Sequence, residues 1–287
     1  MVASRGMVAL FVASFFFATS AIFIRYATEA SAISLTFFRL FIAALAMIIF
    51  ASATRKLRFL GRRDLTLVAV SGLFLSLHFA TFIFAVKETT IANATFLVDT
   101  SPIMLAVLSP LVIKERTTSR EALSVLVATL GVILVADAGN GFRAFGLADI
   151  SALLAAFFIS QYSLVGRYLR TSGVSTACYT SYVYAAAALV ALLMVGVLGE
   201  NTFRFYDAQN VVAIFGLALL PTAVGHSLYN FSLGSVKAVT ANLFPLMEPV
   251  LASIFAIYLF GEVPNAIQVA GYALILLAVG VVATSLR

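Results

Sequence analysis

Ten long apolar segments follow one another along the chain, separated by short stretches that carry charges or turn residues. A helix that spans a bilayer needs about 20 apolar residues, and each segment comes near that length. The residue-by-residue alternation that marks a membrane β-strand is missing from the sequence. The pattern therefore predicts an all-α integral membrane protein with ten transmembrane helices. The predicted helices are residues 7–25, 33–52, 65–86, 91–113, 119–136, 147–166, 175–198, 209–231, 238–259 and 265–285.

Two stretches of the chain repeat the same skeleton at one fixed offset. Pro102 and Pro249 lie 249 − 102 = 147 residues apart, and Glu115 and Glu262 lie 262 − 115 = 147 residues apart. Each copy belongs to a half of five apolar segments, and five is an odd number of crossings. The second half should therefore insert upside down, which predicts two inverted five-helix repeats, the arrangement of alternating-access transporters. The predicted repeats are residues 1–140 and 141–287.

The composition agrees with a lipid environment. Hydrophobic residues make up 62% of the 287 residues and charged residues only 10%, whereas ordinary globular domains carry roughly 25% charged residues. Ten spans use most of the chain, so the loops are short and no separate soluble domain is expected. The one cysteine, Cys178, excludes an intrachain disulfide.

The cations indicate the orientation. Thirteen of the 18 Lys and Arg residues fall on one side of the ten-helix topology, four fall on the other, and Arg39 lies inside a segment. The positive-inside rule places the richer side in the cytoplasm, which predicts a multi-pass protein of the inner (plasma) membrane with both termini cytoplasmic. The net charge of +6 follows from this distribution, and no nucleic-acid partner is expected.

Short motifs at these positions resemble a known family. The sequence LMEPV at residues 246–250, followed by Gly261 and Glu262, is similar to the second repeat of the EamA-type drug/metabolite transporter superfamily. LTFFR at residues 35–39 resembles the arginine motif near the outer end of that family's second helix. The resemblance covers the whole chain and is greatest to the YddG-type exporters of aromatic amino acids. It implies a ten-helix permease and export as the direction of transport.

Five ionisable side chains lie inside the predicted spans, where charges are costly and mark functional sites by default. A rise of 1.5 Å per residue places Asp99 roughly 12 Å and Arg39 roughly 9 Å below the outer surface, with His78 in the same outer half. These three side chains are expected to meet, either with Arg39 and Asp99 as a structural ion pair or with His78 and Asp99 in the solute pathway. The other two are His226, expected nearer the cytoplasmic face as a packing residue, and Glu248, expected near mid-membrane as a solute-binding residue.

Prolines inside the spans each remove one backbone donor and kink the helix. Such positions are Pro102, Pro110, Pro221, Pro245 and Pro249. The carbonyl four residues before each proline must then be satisfied by protein or by a watery cavity. These carbonyls belong to Val98, Ala106, Leu217, Ala241 and Pro245. The kinks at Pro102 and Pro249 are interpreted either as static bends or as hinges of a gating movement.

Further polar side chains in the spans are candidates for a solute pocket or for hydrogen bonds between helices. They are Asn93, Gln161, Tyr162, Tyr229, Asn230 and Asn242, of which Asn93 and Asn242 begin the two repeat segments at near-equivalent places. Small residues in the fifth and tenth segments favour close helix packing, within the bundle or in a dimer. They are Ala128, Gly131, Gly271, Ala278 and Gly280.

Absences narrow the function. The spans hold no central cluster of Lys or Arg for an anionic cargo, and the first span lacks the acidic residue of small multidrug cation exporters. The sequence therefore predicts a secondary transporter, with neutral or zwitterionic metabolites and especially amino acids, aromatic ones included, as its solutes. No catalytic residue, metal or cofactor is expected, and the expected partners are the solute, the bilayer and at most a second copy of the chain. The alternatives are a membrane-embedded enzyme and a permease for drugs or other metabolites.

Overall fold

The computed structural model describes residues 2–137, 146–260 and 263–284. Regular structure in these residues is entirely helical. The predicted boundary between the repeats, after residue 140, and Glu262 lie outside the described residues. The described residues form fourteen α-helices, one π-helix and one 3-10 turn. They are α1 Val2–Phe17, α2 Ser20–Tyr26, α3 Ala32–Ala53, α4 Arg62–Glu88, α5 Ile91–Val98, α6 Ser101–Val112, α7 Ser119–Asp137, α8 Leu147–Thr171, α9 Thr176–Leu198, α10 Ala208–Leu217, the π-helix Ala218–His226, α11 Ser227–Ser232, α12 Ala238–Leu243, the 3-10 turn Pro245–Met247, α13 Glu248–Phe260 and α14 Ala266–Thr284.

All ten predicted segments are helical in the structure. Six are continuous helices, and four are divided into shorter pieces: α1 and α2, α5 and α6, α10 to α11, and α12 to α13. Eight helical segments among the described residues are long and apolar enough to cross a membrane, and the apolar segment Ala238–Leu251 is shorter. The expectation of an all-helical membrane protein is confirmed.

Polar side chains define where several helices begin. Ser31, Thr90, Ser175 and Asp207 each precede a helix and accept a hydrogen bond from the backbone N–H three residues later. An N-cap of this kind satisfies a donor that has no partner within the helix. At the exposed Asp207, hydrogen bonds from Asn210 hold the pKa of the carboxyl below its usual value. The helix boundaries therefore follow from local chemistry at the water-facing ends of the apolar segments.

Helices of the first half pack mainly on helices of the second half. The most extensive pairs are α3 with α9, α4 with α8, and α7 with α14. α1 packs against α11 and the π-helix, and α6 packs against α12. The two halves therefore share one core.

The two repeat segments are interrupted at equivalent positions. The first break lies at Asp99 and Thr100, between α5 and α6. The second break is the 3-10 turn Pro245–Met247 between α12 and α13. Adding the offset of 147 to 99 gives 246, which lies within that turn. The helix breaks that the prolines predict are thus present in both copies.

Threonine hydroxyls satisfy two of the carbonyls that prolines leave without a partner. The Ala106 carbonyl, four residues before Pro110, accepts a hydrogen bond of 2.8 Å from Thr117 Oγ1. The Leu217 carbonyl, four residues before Pro221, accepts one of 2.8 Å from Thr222 Oγ1. Lipid offers no such donor, so protein side chains maintain these two irregular helices.

Small residues join α7 and α14 at close range. A Cβ added to Gly131 would lie 2.7 Å from the Gly271 carbonyl oxygen, and one added to Gly271 would lie 2.6 Å from the Gly131 carbonyl oxygen. Ala128 and Ala278 are buried, whereas a Cβ on Gly280 would have nothing within 4 Å. The first four residues therefore serve packing within the bundle, and Gly280 lies in open space.

Gly131→Val should destabilise the protein strongly, because its side chain would overlap the backbone of α14. Overpacking of this kind costs about 1–3 kcal/mol or more. Gly280→Val is the matched control, since the same side chain enters open space. The check is the thermal unfolding midpoint of each purified variant in detergent. Equal midpoints for the two variants would contradict the packing role of Gly131.

Candidate functional site

A cavity lies where the two broken helices meet the core of the bundle. The free space that the centre of a water-sized molecule can occupy in it is about 70 Å³, enough for a few water molecules. Both halves of the chain contribute to it. Its lining residues are Phe17, Ser20, Arg39, His78, Phe79, Phe82, Val98, Asp99, Ser101, Ile159, His226, Tyr229, Asn242, Pro245 and Glu248.

Arg39 is buried in α3 and held on two sides. Its Nε donates a hydrogen bond of 2.5 Å to Thr222 Oγ1, and its guanidinium carbon lies 3.6 Å from the centre of the Phe79 ring. Its Nη1 has no hydrogen-bond partner. The predicted ion pair of Arg39 with Asp99 is therefore wrong, because Thr222 and Phe79 take up the guanidinium instead. Arg39 also lines the cavity.

Two carboxyl groups reach the cavity from the two helix breaks. Asp99 follows the last residue of α5, and Glu248 is the first residue of α13. Asp99 Oδ2 and Glu248 Oε1 are both buried without a hydrogen-bond partner. Subtracting the offset of 147 from 248 gives 101, a position that holds Ser101. The breaks are equivalent in backbone, but their acidic side chains occupy different positions.

Two histidine rings lie side by side at the cavity, with their centroids 6.5 Å apart. His78 Nδ1 lies 2.9 Å from the Ala155 carbonyl, which can only accept, so Nδ1 carries the proton. His226 packs against Phe17 and Phe79 at 4.7 and 5.0 Å between ring centroids, and its Nδ1 has no partner. From the sequence, His226 was expected nearer the cytoplasmic face than His78, whereas the two rings are neighbours at the same cavity.

A hydrogen-bonded chain joins both repeat segments beside the cavity. Tyr229 Oη lies 2.7 Å from Ser163 Oγ and donates to Asn242 Oδ1 at 3.3 Å. Asn242 Nδ2 in turn donates to Ser101 Oγ at 2.7 Å. These contacts connect α8, α11, α12 and α6. Tyr229 and Asn242 both border the cavity, and their role in solute binding stays a prediction.

Four predicted pocket residues lie outside the cavity lining. Asn93 donates from Nδ2 to Asp149 Oδ1 at 2.5 Å, which ties the start of α5 to the start of α8. Asn230 donates to the Tyr162 hydroxyl at 2.5 Å and to the His226 carbonyl at 2.6 Å, behind the histidine. Gln161 is half-buried and does not border the cavity. Asn93, Tyr162 and Asn230 make contacts between helices, and none of the four residues borders this cavity; their role in solute binding stays a prediction.

Pro102 and Pro249, interpreted from the sequence either as static bends or as hinges, lie next to residues that line the cavity. Pro102 is in the first turn of α6 and Pro249 in the first turn of α13, and neither borders the cavity. Pro245, in the 3-10 turn, does line it. Among the lining residues that the sequence analysis did not name, Ser101 was the easiest to predict, because the 147-residue offset aligns it with Glu248. Nothing in the sequence distinguishes the lining residues Phe17, Phe82 and Ile159 from apolar residues that face lipid.

A charged cluster joins the two halves one helical turn beyond Ser163, the partner of the lining residue Tyr229. Arg167, four residues after Ser163, binds Glu115 Oε1 at 2.9 Å and donates to the Leu233 carbonyl at 2.7 Å. Glu115 Oε2 accepts from the backbone N–H of Ala238 at 3.1 Å. The loop after α6 is thereby attached to α8 and to the start of α12.

A second ion pair completes this charged cluster. Lys237 Nζ lies 3.1 Å from Glu121 Oε2, and Thr240 Oγ1 donates to Glu121 Oε1 at 2.8 Å. Thr118 donates to Glu121 Oε2 from its backbone N–H at 2.7 Å. The charged cluster is defined as Glu115, Glu121, Arg167 and Lys237, and it binds the start of α7 to the start of α12.

Comparison with known proteins gives one family. The profile of the EamA-like transporter family matches residues 4–136 and 146–284. A Bacillus subtilis (strain 168) protein, the uncharacterized transporter YdfC, is 28% identical over 240 residues, covering 83% of this chain and 77% of YdfC. A Streptantibioticus cattleyicolor protein described as a probable terminal-alkyne amino-acid exporter is 26% identical over 243 residues, covering 82% of this chain and 78% of that protein.

The fold is similar to one that has been solved. A crystal structure with 18% sequence identity superimposes with a TM-score of 0.80, covering 97% of this chain and 96% of the other. At this identity the likeness concerns the fold alone. It extends over both halves of the chain.

Proposed function

Because the chain belongs to the EamA-like transporter family, we propose that it is a secondary transporter that exports small neutral or zwitterionic metabolites by alternating access. Amino acids, including aromatic ones, are the proposed solutes. Membership of a transporter family means that the protein is not an enzyme. The resemblance to YddG-type exporters and the choice of aromatic solutes are both part of this proposal.

The cavity is the observation that carries the proposal. It is bordered by both broken helices and offers buried polar atoms without partners on Arg39, Asp99, His226 and Glu248. Sites in transporters commonly lie at the interface of two repeats, beside interrupted helices. The rings of Phe17, Phe79, Phe82 and Tyr229 provide an apolar surface for a side chain. A relative described as an amino-acid exporter supports the same solute class.

The proposed topology has ten membrane spans in two inverted repeats, residues 1–140 and 141–287. Both termini are then cytoplasmic, and the protein lies in the cell's inner membrane as a monomer or homodimer. In this topology the charged cluster lies on the cytoplasmic side of the cavity, because Glu115 and Lys237 are in cytoplasmic loops. We take the charged cluster as the closed cytoplasmic gate of the carrier.

Purified protein in liposomes tests the proposal. Liposomes loaded with a mixture of unlabelled amino acids should take up labelled phenylalanine by exchange, above the level of protein-free liposomes. A panel of labelled amino acids, sugars and cationic dyes then gives the solute class. Flux of the dyes without any amino acid would favour the drug permease and would contradict the proposed solutes.

His78→Ala should lower phenylalanine flux by about threefold to tenfold without unfolding the bundle. The change removes a ring that stacks on Phe82, with centroids 5.9 Å apart, and leaves the Ala155 carbonyl without its donor. Initial exchange rates and the thermal unfolding midpoint are the measurements. Full flux with an unchanged midpoint would remove His78 from the proposed site.

A further inference from the structure

Three charged side chains that border the cavity each have a buried polar atom without a hydrogen-bond partner among the described residues. Arg39 Nη1 is a buried donor without a partner, and Asp99 Oδ2 and Glu248 Oε1 are buried acceptors without one. All three side chains border the same cavity. Buried groups of this kind are costly unless something satisfies them. One cationic donor and two acidic acceptors together match a solute that carries both an anionic and a cationic group.

The π-helix holds the Arg39 guanidinium in place beside the cavity. Pro221 has no backbone N–H, which leaves the Leu217 carbonyl free, and the Thr222 hydroxyl donates to that carbonyl at 2.8 Å. The oxygen of the same hydroxyl accepts from Arg39 Nε at 2.5 Å. The Phe79 ring covers one face of the guanidinium at 3.6 Å. Thr222, which is fully buried, therefore fixes one edge of the guanidinium, while Nη1 has no hydrogen-bond partner among the described residues.

We propose that Arg39 binds the carboxylate of the solute and that Thr222 is the positioning residue that aims it. Asp99 and Glu248 then accept hydrogen bonds from the solute's ammonium group. A planar guanidinium suits a carboxylate in a way that a lysine does not. The inference rests on the proposed function and extends it, because it assigns each end of a zwitterionic solute to named side chains.

The first test uses the wild-type protein and three competitors. Labelled phenylalanine exchange in liposomes is measured against unlabelled phenylalanine, phenylalanine methyl ester and phenethylamine. The ester and the amine keep the ring and the nitrogen but lack the carboxylate. Both should compete at least tenfold more weakly than phenylalanine. Equal competition by the ester or the amine would overturn the role of Arg39.

The second test uses variants of the two residues. Arg39→Lys should raise the apparent KM for phenylalanine at least tenfold and leave the weak inhibition by the methyl ester unchanged. Thr222→Val should raise the apparent KM about fivefold with a smaller change in maximal rate, and Thr222→Ser, which keeps the hydroxyl, should restore it. Thr66→Val is the control, because Thr66 is exposed and its hydroxyl also donates to a backbone carbonyl in the same chain.

The outcomes separate the two proposals. Wild-type protein that moves no amino acid overturns the proposed function, and the assignment of Arg39 falls with it. If wild-type protein moves phenylalanine and the Arg39→Lys variant has the wild-type KM, only the assignment of Arg39 is overturned. If Thr222→Val does not fold, Thr222→Ser and the competitor series still test the proposal. A wild-type KM for the Thr222→Ser variant supports the role of the hydroxyl, and a raised KM contradicts it.

Discussion

Linking residue 121 to residue 237 should stop transport, and breaking the link should restore it. The variant carries Glu121→Cys and Lys237→Cys, with the one native cysteine removed by Cys178→Ala. The two native side chains meet at 3.1 Å in the charged cluster, so a short thiol-reactive linker can span them. A carrier that opens on this side must separate α7 from α12 there. We expect at least a tenfold loss of phenylalanine exchange after linking and recovery after reduction.

The same variant before linking provides the reference. It lacks the ion pair, so it should exchange phenylalanine at or above the wild-type rate. Each single-cysteine variant treated with the linker shows the effect of modification alone. Undiminished exchange in fully linked protein would mean that the charged cluster does not open during transport. The gate would then have to be sought elsewhere, with the cavity itself unaffected.

Glu248→Gln should lower phenylalanine exchange by at least tenfold. The substitution keeps the size of the side chain but removes a carboxyl whose Oε1 is buried in the cavity without a partner. An ammonium group then loses one of its two acidic acceptors, and hydrogen bonds to charged groups are the stronger ones. A tenfold loss in binding corresponds to about 1.4 kcal/mol. The measurements are the exchange rate and the thermal unfolding midpoint.

Glu88→Gln is the matched control for this experiment, because Glu88 is exposed at the end of α4. It undergoes the same chemical change far from any unpartnered atom and should exchange like the wild type. Wild-type exchange by Glu248→Gln itself would exclude Glu248 from solute binding. A lowered midpoint together with lowered exchange would instead assign the residue to packing of the helix break.

The sequence was most informative where chemistry is local. The apolar segments predicted the helices, and the prolines predicted interruptions near Pro102 and Pro245, because a missing N–H acts within one helical turn. The free carbonyls at Ala106 and Leu217 were also foreseen, although their threonine partners were not. Asp99, Glu248 and His78 were found because ionisable groups are rare inside membrane spans.

The sequence was least informative where partners come from distant parts of the chain. Arg39 meets Thr222, 183 positions away, and nothing near Arg39 indicates this in preference to Asp99. His226 was expected apart from His78, yet the two rings lie 6.5 Å apart, a contact between α4 and the distant π-helix that counting along one segment does not reveal. Asn93 was paired with Asn242 by the repeat, but Asp149 holds it elsewhere. Symmetry predicted the backbone better than the side chains.

The two equivalent helix breaks have an evolutionary consequence. An ancestor with identical copies would have presented the same side chain from each break, and a solute could have bound either way round with equal affinity. In this chain Asp99 lies at one break and Glu248 beside the other, at positions that do not correspond. On the proposed inverted-repeat topology, divergence of such copies would have removed the chemical symmetry of the site, although both helix breaks remain. A molecule with unlike ends then has one preferred orientation as it crosses the membrane.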